Sequence, residues 1–239
     1  MILSTSTPAR NEERFSRLEY PGSDFPFYNG VPAFISSRQW LFVMAMVVVG
    51  FLALALPIHW PAGLFWQFVP AILMAGLPLL ALAHVAPVHW KTIFGRVRCR
   101  EVKLMFGFAL LNIVVSMAVG ALIFTLVGAT ANGLMANLGT LDTAGRVVFF
   151  ARTIPQLLGE EVITLLPFLA LLQWFIKTGG MGRKGAIICA WLITSLIFGL
   201  IHLPAYGWNW IQCIVVIGTA RVMLTLPWIL TKNIWVSTG

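Results

Sequence analysis

The feature that most constrains this chain is a succession of apolar stretches, each long enough to cross a lipid bilayer. A spanning α-helix needs about 20 predominantly apolar residues, and six stretches reach or approach that length: 40–58, 63–86, 104–127, 157–176, 185–203 and 209–230. Only 10% of the 239 residues are charged, against about 25% in a soluble domain. The sequence therefore predicts an all-α, polytopic transmembrane helix bundle with six full spans.

The chain divides into an N-terminal tail and one transmembrane domain. Residues 1–38 form a mixed-charge tail that we expect to end at the membrane surface, and residues 39–239 form a single helical domain. The fourth span begins either near residue 157 or near Arg146, as one long or broken helix through Pro155 and Gly159. The residues after Lys232 look like the first turns of a truncated seventh helix, so we expect the given sequence to be incomplete.

The positions of Lys and Arg predict the orientation of the bundle. They fall in the tail, in connections 87–103 and 177–184, and after the sixth span, whereas connections 59–62, 128–145 and 204–208 have none. Cytoplasmic connections carry the excess of positive charge, which predicts a cytoplasmic N-terminus. The expected location is the bacterial inner (plasma) membrane, where the chain would be an integral protein. The net charge of +8 is then explained by contact with lipid headgroups, and no nucleic-acid partner is predicted.

Two adjacent acids, Glu160 and Glu161, lie inside a membrane-length apolar segment. A carboxylate there costs at least about 2.5 kcal/mol and predicts a functional site. Successive helical residues differ by about 100°, so one carboxylate can face a cavity while the other fixes a neighbouring helix, and Thr164 lies one turn from Glu160. A carboxylate that accepts a proton from water acts as a general base. The alternative is a polar contact that only locks helices together.

Three residues of the later spans complete the candidate site. Phe198 and His202 are four positions apart on one helix face. By itself such a histidine is usually an interfacial or core residue, but antiparallel spans would place His202 in the same half of the bilayer as Glu160. Arg221 is the one cation inside a span, and we expect it to pair with Glu161; the alternative is that it reaches toward the interface.

Common catalytic signatures are absent from the sequence. It contains no His-Glu-x-x-His zinc motif, no Gly-x-Ser-x-Gly elbow and no phosphate-binding loop. One histidine and two glutamates would make a poor zinc site. No metal site is predicted, and the residues do not identify a cofactor.

Residues 146–239 resemble the CPBP family, which comprises CAAX proteases and bacteriocin-processing enzymes and is also called Abi. The family pattern is Glu-Glu-x-x-x-Arg, then Phe-x-x-x-His, then His-x-x-x-Asn/Asp on a later helix. Glu160 and Glu161 match the first motif, and Phe198 and His202 match the second. Leu165 stands where the family has arginine, so either Arg221 substitutes or that ion pair is missing. The third motif does not occur in the given sequence.

The resemblance implies an intramembrane glutamate-dependent endopeptidase. Glu160 and His202 would activate a water against a peptide carbonyl, with Glu161 in the same motif and with Phe198, Arg221 and Thr164 in support. The residues of the third motif would stabilise the oxyanion, so we expect the given chain to be inactive or nearly so. The substrate would be a prenylated or membrane-proximal peptide or a bacteriocin-type peptide, the latter linked to self-immunity.

The alternative comes from another class of protein. A non-catalytic membrane protein, such as a proton-coupled transporter or an immunity or scaffold protein, would use Glu160, Glu161 and Arg221 as a relay or helix clamp. Under either hypothesis the predicted partner is membrane lipid, joined for the peptidase by a peptide or lipidated-peptide substrate.

Overall fold

A computed structural model describes residues 14–132 and 138–238. Helices are the only regular elements within these two ranges. They are α1 (Ser37–Ala55), α2 (Val69–Val85), α3 (Cys99–Val127), α4 (Thr143–Lys177), α5 (Arg183–Ile201), α6 (Gly218–Thr231) and α7 (Ile234–Thr238). A π-helical turn, Gln212–Ile217, leads directly into α6. The predicted all-α polytopic bundle is confirmed.

Five helices are long and apolar enough to cross a membrane: α1, α3, α4, α5 and the π turn together with α6. The predicted second span, 63–86, is represented by α2, which has 17 residues. It is shorter because the chain first forms a separate 3-10 turn, Phe65–Gln67, and the helix then begins with Pro70 in its first turn. Five of the six predicted spans are thus present at full length, and α2 is a shorter apolar helix.

The fourth span is one long helix, as the earlier of the two predicted starts implies. α4 has 35 residues and is therefore about 52 Å long, well above the roughly 30 Å of a bilayer's hydrocarbon core. It packs against α2 and α5, and α1 and α2 pack against each other. Its second half supplies the centre of the core, where Leu166, Phe168, Leu169 and Leu172 are fully buried. Residues 133–137, in the connection 128–145, fall outside the described residues.

Two glycines allow helices to approach closely beside the candidate site. A Cβ atom on Gly159 of α4 would lie 2.9 Å from Cγ of Met74 on α2. A Cβ atom on Gly199 of α5 would lie 2.5 Å from the carbonyl oxygen of Cys213 in the π turn. The second distance is too short for any side chain, because the neighbouring atom belongs to the backbone. Gly199 therefore fixes the separation between α5 and the helix that carries Arg221.

The segment before α1 is anchored to the bundle by a buried acid. Glu19 accepts two hydrogen bonds from the Arg183 guanidinium, each 2.6 Å, and one of 2.9 Å from Lys232 Nζ. Burial alone would raise the pKa of Glu19, but these two cations outweigh it and lower the pKa to about 2. Phe25 packs on Phe168 with ring centroids 5.3 Å apart. Part of the predicted tail thus contributes to the core; Arg10, Glu12 and Glu13 lie outside the described residues.

A sharp break separates α6 from α7. Lys232 ends α6 in a left-handed conformation, with φ of 55°. The Asn233 side chain then accepts a hydrogen bond from Gly95 N (2.8 Å) and donates one to the Arg96 carbonyl (3.1 Å). These bonds tie the break to the connection before α3. α7 agrees with the predicted start of a seventh helix.

Candidate active site

Glu161 is bound to α6 by a buried ion pair. Arg221 donates two hydrogen bonds to its carboxylate, Nη1 to Oε1 at 2.7 Å and Nη2 to Oε2 at 2.8 Å. The two residues are 3% and 1% exposed, so the charges neutralise each other out of contact with solvent. The ion pair predicted from the sequence is present, and it joins the midpoint of α4 to α6.

Two further contacts hold the Arg221 side chain. Its Nε donates to the hydroxyl of Thr225 at 3.3 Å, and its guanidinium carbon lies 5.0 Å from the centre of the Phe198 ring, within range of a cation–π interaction. A π turn holds more residues than an α turn, so the turn before α6 rotates the helix that follows. The rotation sets the face on which Arg221 meets Glu161.

Glu160 borders a cavity of about 100 Å³. Its Oε1 accepts a hydrogen bond of 3.0 Å from Gln156 Nε2, one turn earlier on α4. Glu161 and Arg221 also border the cavity, and α3, α6 and α7 complete the lining with Met105, Phe108, Ala109, Leu224, Pro227, Val236, Ser237 and Thr238, next to Leu157 of α4. The two neighbouring carboxylates therefore point in different directions, as the angle of about 100° between successive helical residues requires. One is fixed to another helix, and the other is half-buried at the cavity.

His202 caps the end of α5 and is oriented by its own helix. Its Nδ1 lies 2.7 Å from the Phe198 carbonyl oxygen, which can only accept, so Nδ1 carries the proton and donates. Its ring packs on the Phe198 ring with centroids 4.5 Å apart. Among the described residues, none forms a hydrogen bond with Nε2, which therefore keeps its lone pair in the neutral ring.

Glu160 and His202 lie at similar positions along neighbouring antiparallel helices. Glu160 precedes the end of α4 by 17 residues and His202 follows the start of α5 by 19, which correspond to roughly 26 and 28 Å of helix. His202 is nevertheless not among the residues that line the Glu160 cavity. The contacts that connect Glu160 to His202 pass through Glu161, Arg221 and the Phe198 ring.

Thr164 lies apart from the cavity. Its hydroxyl donates to the backbone carbonyl of Glu160 at 2.8 Å, and its side chain faces a small gap between α4 and α5 that Phe198 also lines. The sequence therefore placed Thr164 on the correct turn, but its hydroxyl is engaged by the backbone and not by the Glu160 carboxylate.

Three polar residues near Glu160 were not singled out from the sequence: Gln156, which donates a hydrogen bond to Glu160, and Ser237 and Thr238, which line the cavity. Gln156 could have been found, because it stands four positions before Glu160. Ser237 could not have been found, because it reaches the cavity only as a result of the change in chain direction at Lys232. Within the ranges that the structure describes, no group of three His, Cys, Asp or Glu residues is arranged to hold a metal ion.

Comparison with protein-family models gives a match to the C-terminal part of the chain. Residues 141–239 match a family model described as type II CAAX prenyl endopeptidase Rce1-like. No curated protein and no solved structure matches the chain. The matched region contains α4 to α7 and with them Glu160, Glu161, His202 and Arg221. The match supports a CAAX-type intramembrane endopeptidase in general terms. The resemblance predicted from the Glu-Glu and Phe-x-x-x-His motifs is thus confirmed, and over residues 141–239 the chain matches the CPBP/CAAX-protease family.

Proposed function

We propose that this protein hydrolyses a peptide bond of a membrane-associated substrate, with Glu160 as the general base. The observation that carries the proposal is the half-buried Glu160 carboxylate at a cavity, beside a second glutamate whose charge Arg221 already neutralises. In this arrangement the Glu160 carboxylate can accept a proton, whereas the Glu161 carboxylate holds α4 to α6.

The reaction would proceed in two steps. Glu160 takes a proton from a water in the cavity while the water oxygen adds to the scissile carbonyl carbon. The tetrahedral intermediate then collapses, the carbon–nitrogen bond breaks, and the proton passes from Glu160 to the departing amine. In this proposal the free Nε2 of His202 accepts a hydrogen bond from the same water, which requires the half-buried ring to reach the cavity when substrate binds.

Arg221 takes the structural place of the family's motif arginine in this proposal. Leu165, at the motif position, is 1% exposed and packs in the core, whereas Arg221 reaches Glu161 from α6. A bidentate guanidinium fits a carboxylate from either helix. Arg221 would therefore hold Glu161 in its orientation, and it would remain outside the chemical steps.

The test is cleavage by purified protein in nanodiscs. The substrates are a fluorogenic farnesylated peptide ending in a CAAX sequence, the same peptide without the lipid, and a bacteriocin-type leader peptide. Glu160→Gln should reduce cleavage about 10²–10⁴-fold, the usual contribution of general acid–base catalysis, and His202→Gln should also reduce it.

The matched control is Asp142→Asn. It makes the same carboxylate-to-amide change at the exposed N-cap of α4, where asparagine caps as well as aspartate, so cleavage should be unchanged. Equal cleavage by wild type and Glu160→Gln would refute the proposal. Wild-type cleavage itself is expected to be slow, because the third motif does not occur in the given sequence. Preference for the farnesylated peptide would assign the prenyl-protein substrate class, and preference for the leader peptide would assign the bacteriocin class.

The clamp formed by Glu161 and Arg221 favours one other function, a non-catalytic transporter or scaffold protein. A buried ion pair that joins two helices is expected in a membrane protein without catalysis. Proteoliposomes separate the two proposals: proton-coupled uptake that is lost in Glu160→Gln, without cleavage of any peptide, would support the transporter.

A further inference from the structure

A groove on the outer face of α1 and α4 lies apart from the Glu160 cavity and belongs to no part of the proposed reaction. It has a volume of about 630 Å³. Its apolar wall is formed mainly by residues from the start of α1 and the end of α4, among them Phe34, Trp40, Leu41, Pro167, Ala170 and Trp174. Leu41 is 70% and Trp174 54% exposed, so the groove faces the surroundings of the bundle and not its interior.

The groove has one polar end. Ser37, Lys177 and Thr178 lie there, and Lys177 is the only charged residue among the described residues that line it. The Lys177 ammonium is 4.3 Å from the centre of the Phe34 ring, which holds it at the mouth. From Pro167 to Thr178 the groove follows α4 for roughly 16 Å, close to the half-thickness of a hydrocarbon core of about 30 Å.

We propose that this groove binds an anionic phospholipid, with an acyl chain along α4 and the phosphate at Lys177. Charge complementarity selects the headgroup, since the mouth offers one cation and two hydroxyl groups. The mouth is also at the basic end of the bundle, which the positive-inside pattern predicts to be cytoplasmic, and anionic lipids are enriched in that leaflet.

The polar groups of the groove argue against a peptide in this position. A bound peptide would need partners for its backbone N–H and C=O groups within the apolar part. The one amide there, Gln173, already accepts a hydrogen bond from Trp40 Nε1 (3.0 Å) and donates one to the Ile35 carbonyl (2.8 Å). A hydrocarbon chain needs no such partners.

Photo-crosslinking tests the proposal without any measurement of peptidase activity. The full chain is placed in nanodiscs of phosphatidylcholine with a trace of phosphatidylglycerol that carries a diazirine in one acyl chain, or with the matching phosphatidylcholine probe. Adducts should map to residues 34–44 and 167–178. The phosphatidylglycerol probe should label these residues about five-fold more than the phosphatidylcholine probe, the ratio for about 1 kcal/mol per cation.

Two variants and a control sharpen the test. Ala170→Trp fills the groove and should abolish labelling there by both probes. Lys177→Gln, at an exposed position, should reduce labelling by phosphatidylglycerol to the level of phosphatidylcholine. Lys184→Gln removes an exposed lysine at the same end of the bundle but outside the groove, and should leave both levels unchanged.

Three outcomes would overturn the assignment. The first is labelling of α1 and α4 no stronger than labelling of the exposed face of α3. The second is an equal loss of phosphatidylglycerol labelling in Lys177→Gln and Lys184→Gln. The third is displacement of the lipid probe by a farnesylated peptide, which would assign the groove to a lipidated substrate instead.

Discussion

Replacing Arg221 with methionine should destabilise the bundle strongly while changing little of its apolar packing. Arg221 and Glu161 are 1% and 3% exposed and share two short hydrogen bonds. Removal of the guanidinium leaves a carboxylate in a buried site without its counter-charge, and breaking such a pair costs about 3–5 kcal/mol. At about 2–4 °C per kcal/mol for a chain of this length, the melting temperature should fall by roughly 6–20 °C.

A thiol-reactive dye gives a suitable assay, because Cys213 beside α6 is 0% exposed and reacts only when the bundle opens. The measurement uses a background with Cys99→Ser and Cys189→Ser, since Cys99 is exposed and Cys189 is half-buried. Arg146→Met, at an exposed position of α4, is the control and should change the melting temperature by less than 2 °C, in keeping with a surface effect below about 0.5 kcal/mol.

The double variant Glu161→Leu with Arg221→Met separates the charge effect from the packing effect. It leaves no unpaired charge, so it should recover at least about 2 kcal/mol relative to Arg221→Met alone. The reasoning would be refuted if Arg221→Met matched the Arg146→Met control, or if the double variant lost the sum of the two single losses.

Three other measurements test the surroundings of the site. The pKa of Glu19 is about 2 in the folded protein against an ordinary 4.5, so the stability that its ionised form contributes is present above pH 4.5 and is lost as the pH falls toward 2. Denaturant titrations should show that the free energy of unfolding falls more steeply over that range for the wild type than for Glu19→Gln. Parallel pH profiles of the two proteins would contradict this. Gly199→Ala should lower the melting temperature, because its Cβ would meet the Cys213 carbonyl oxygen. Gly107→Ala, with open space around it, should be neutral or stabilising by up to about 1 kcal/mol. Similar losses in both variants would be evidence against the close approach of α5 to the π turn. Exposed Cys99 should react with an impermeant maleimide in inside-out vesicles and not in right-side-out ones, and the reverse pattern would invert the predicted topology.

The positions of the helices followed from the sequence because apolar length alone determines which segments can cross a bilayer. The same argument could not give the exact length of α2, where Pro70 and a preceding turn shorten an apolar stretch. Nor could it find the role of the segment before α1. Glu19 is one of several charges in a polar stretch, and its partners Arg183 and Lys232 are 164 and 213 positions away.

The ion pair of the site was predictable and its remaining contacts were not. Glu161 and Arg221 are charges in apolar spans, and the cost of burying either alone requires that they meet. Gln156 and Ser237 are neutral, so no comparable cost identifies them. The relation of His202 to Glu160 stays a prediction, because pairing of helices sets their depth but not the direction in which each side chain points.

The hydrogen bond between Lys232 and Glu19 has a consequence for the order of assembly. It closes a loop of 213 positions, and contacts of such separation form slowly, since chain entropy opposes them until the intervening elements are in place. The wall that α7 contributes beside Glu160 should therefore be set late in folding. During folding the bundle would pass through a stage in which its helices are inserted in the membrane but α7 does not yet cover the cavity beside Glu160.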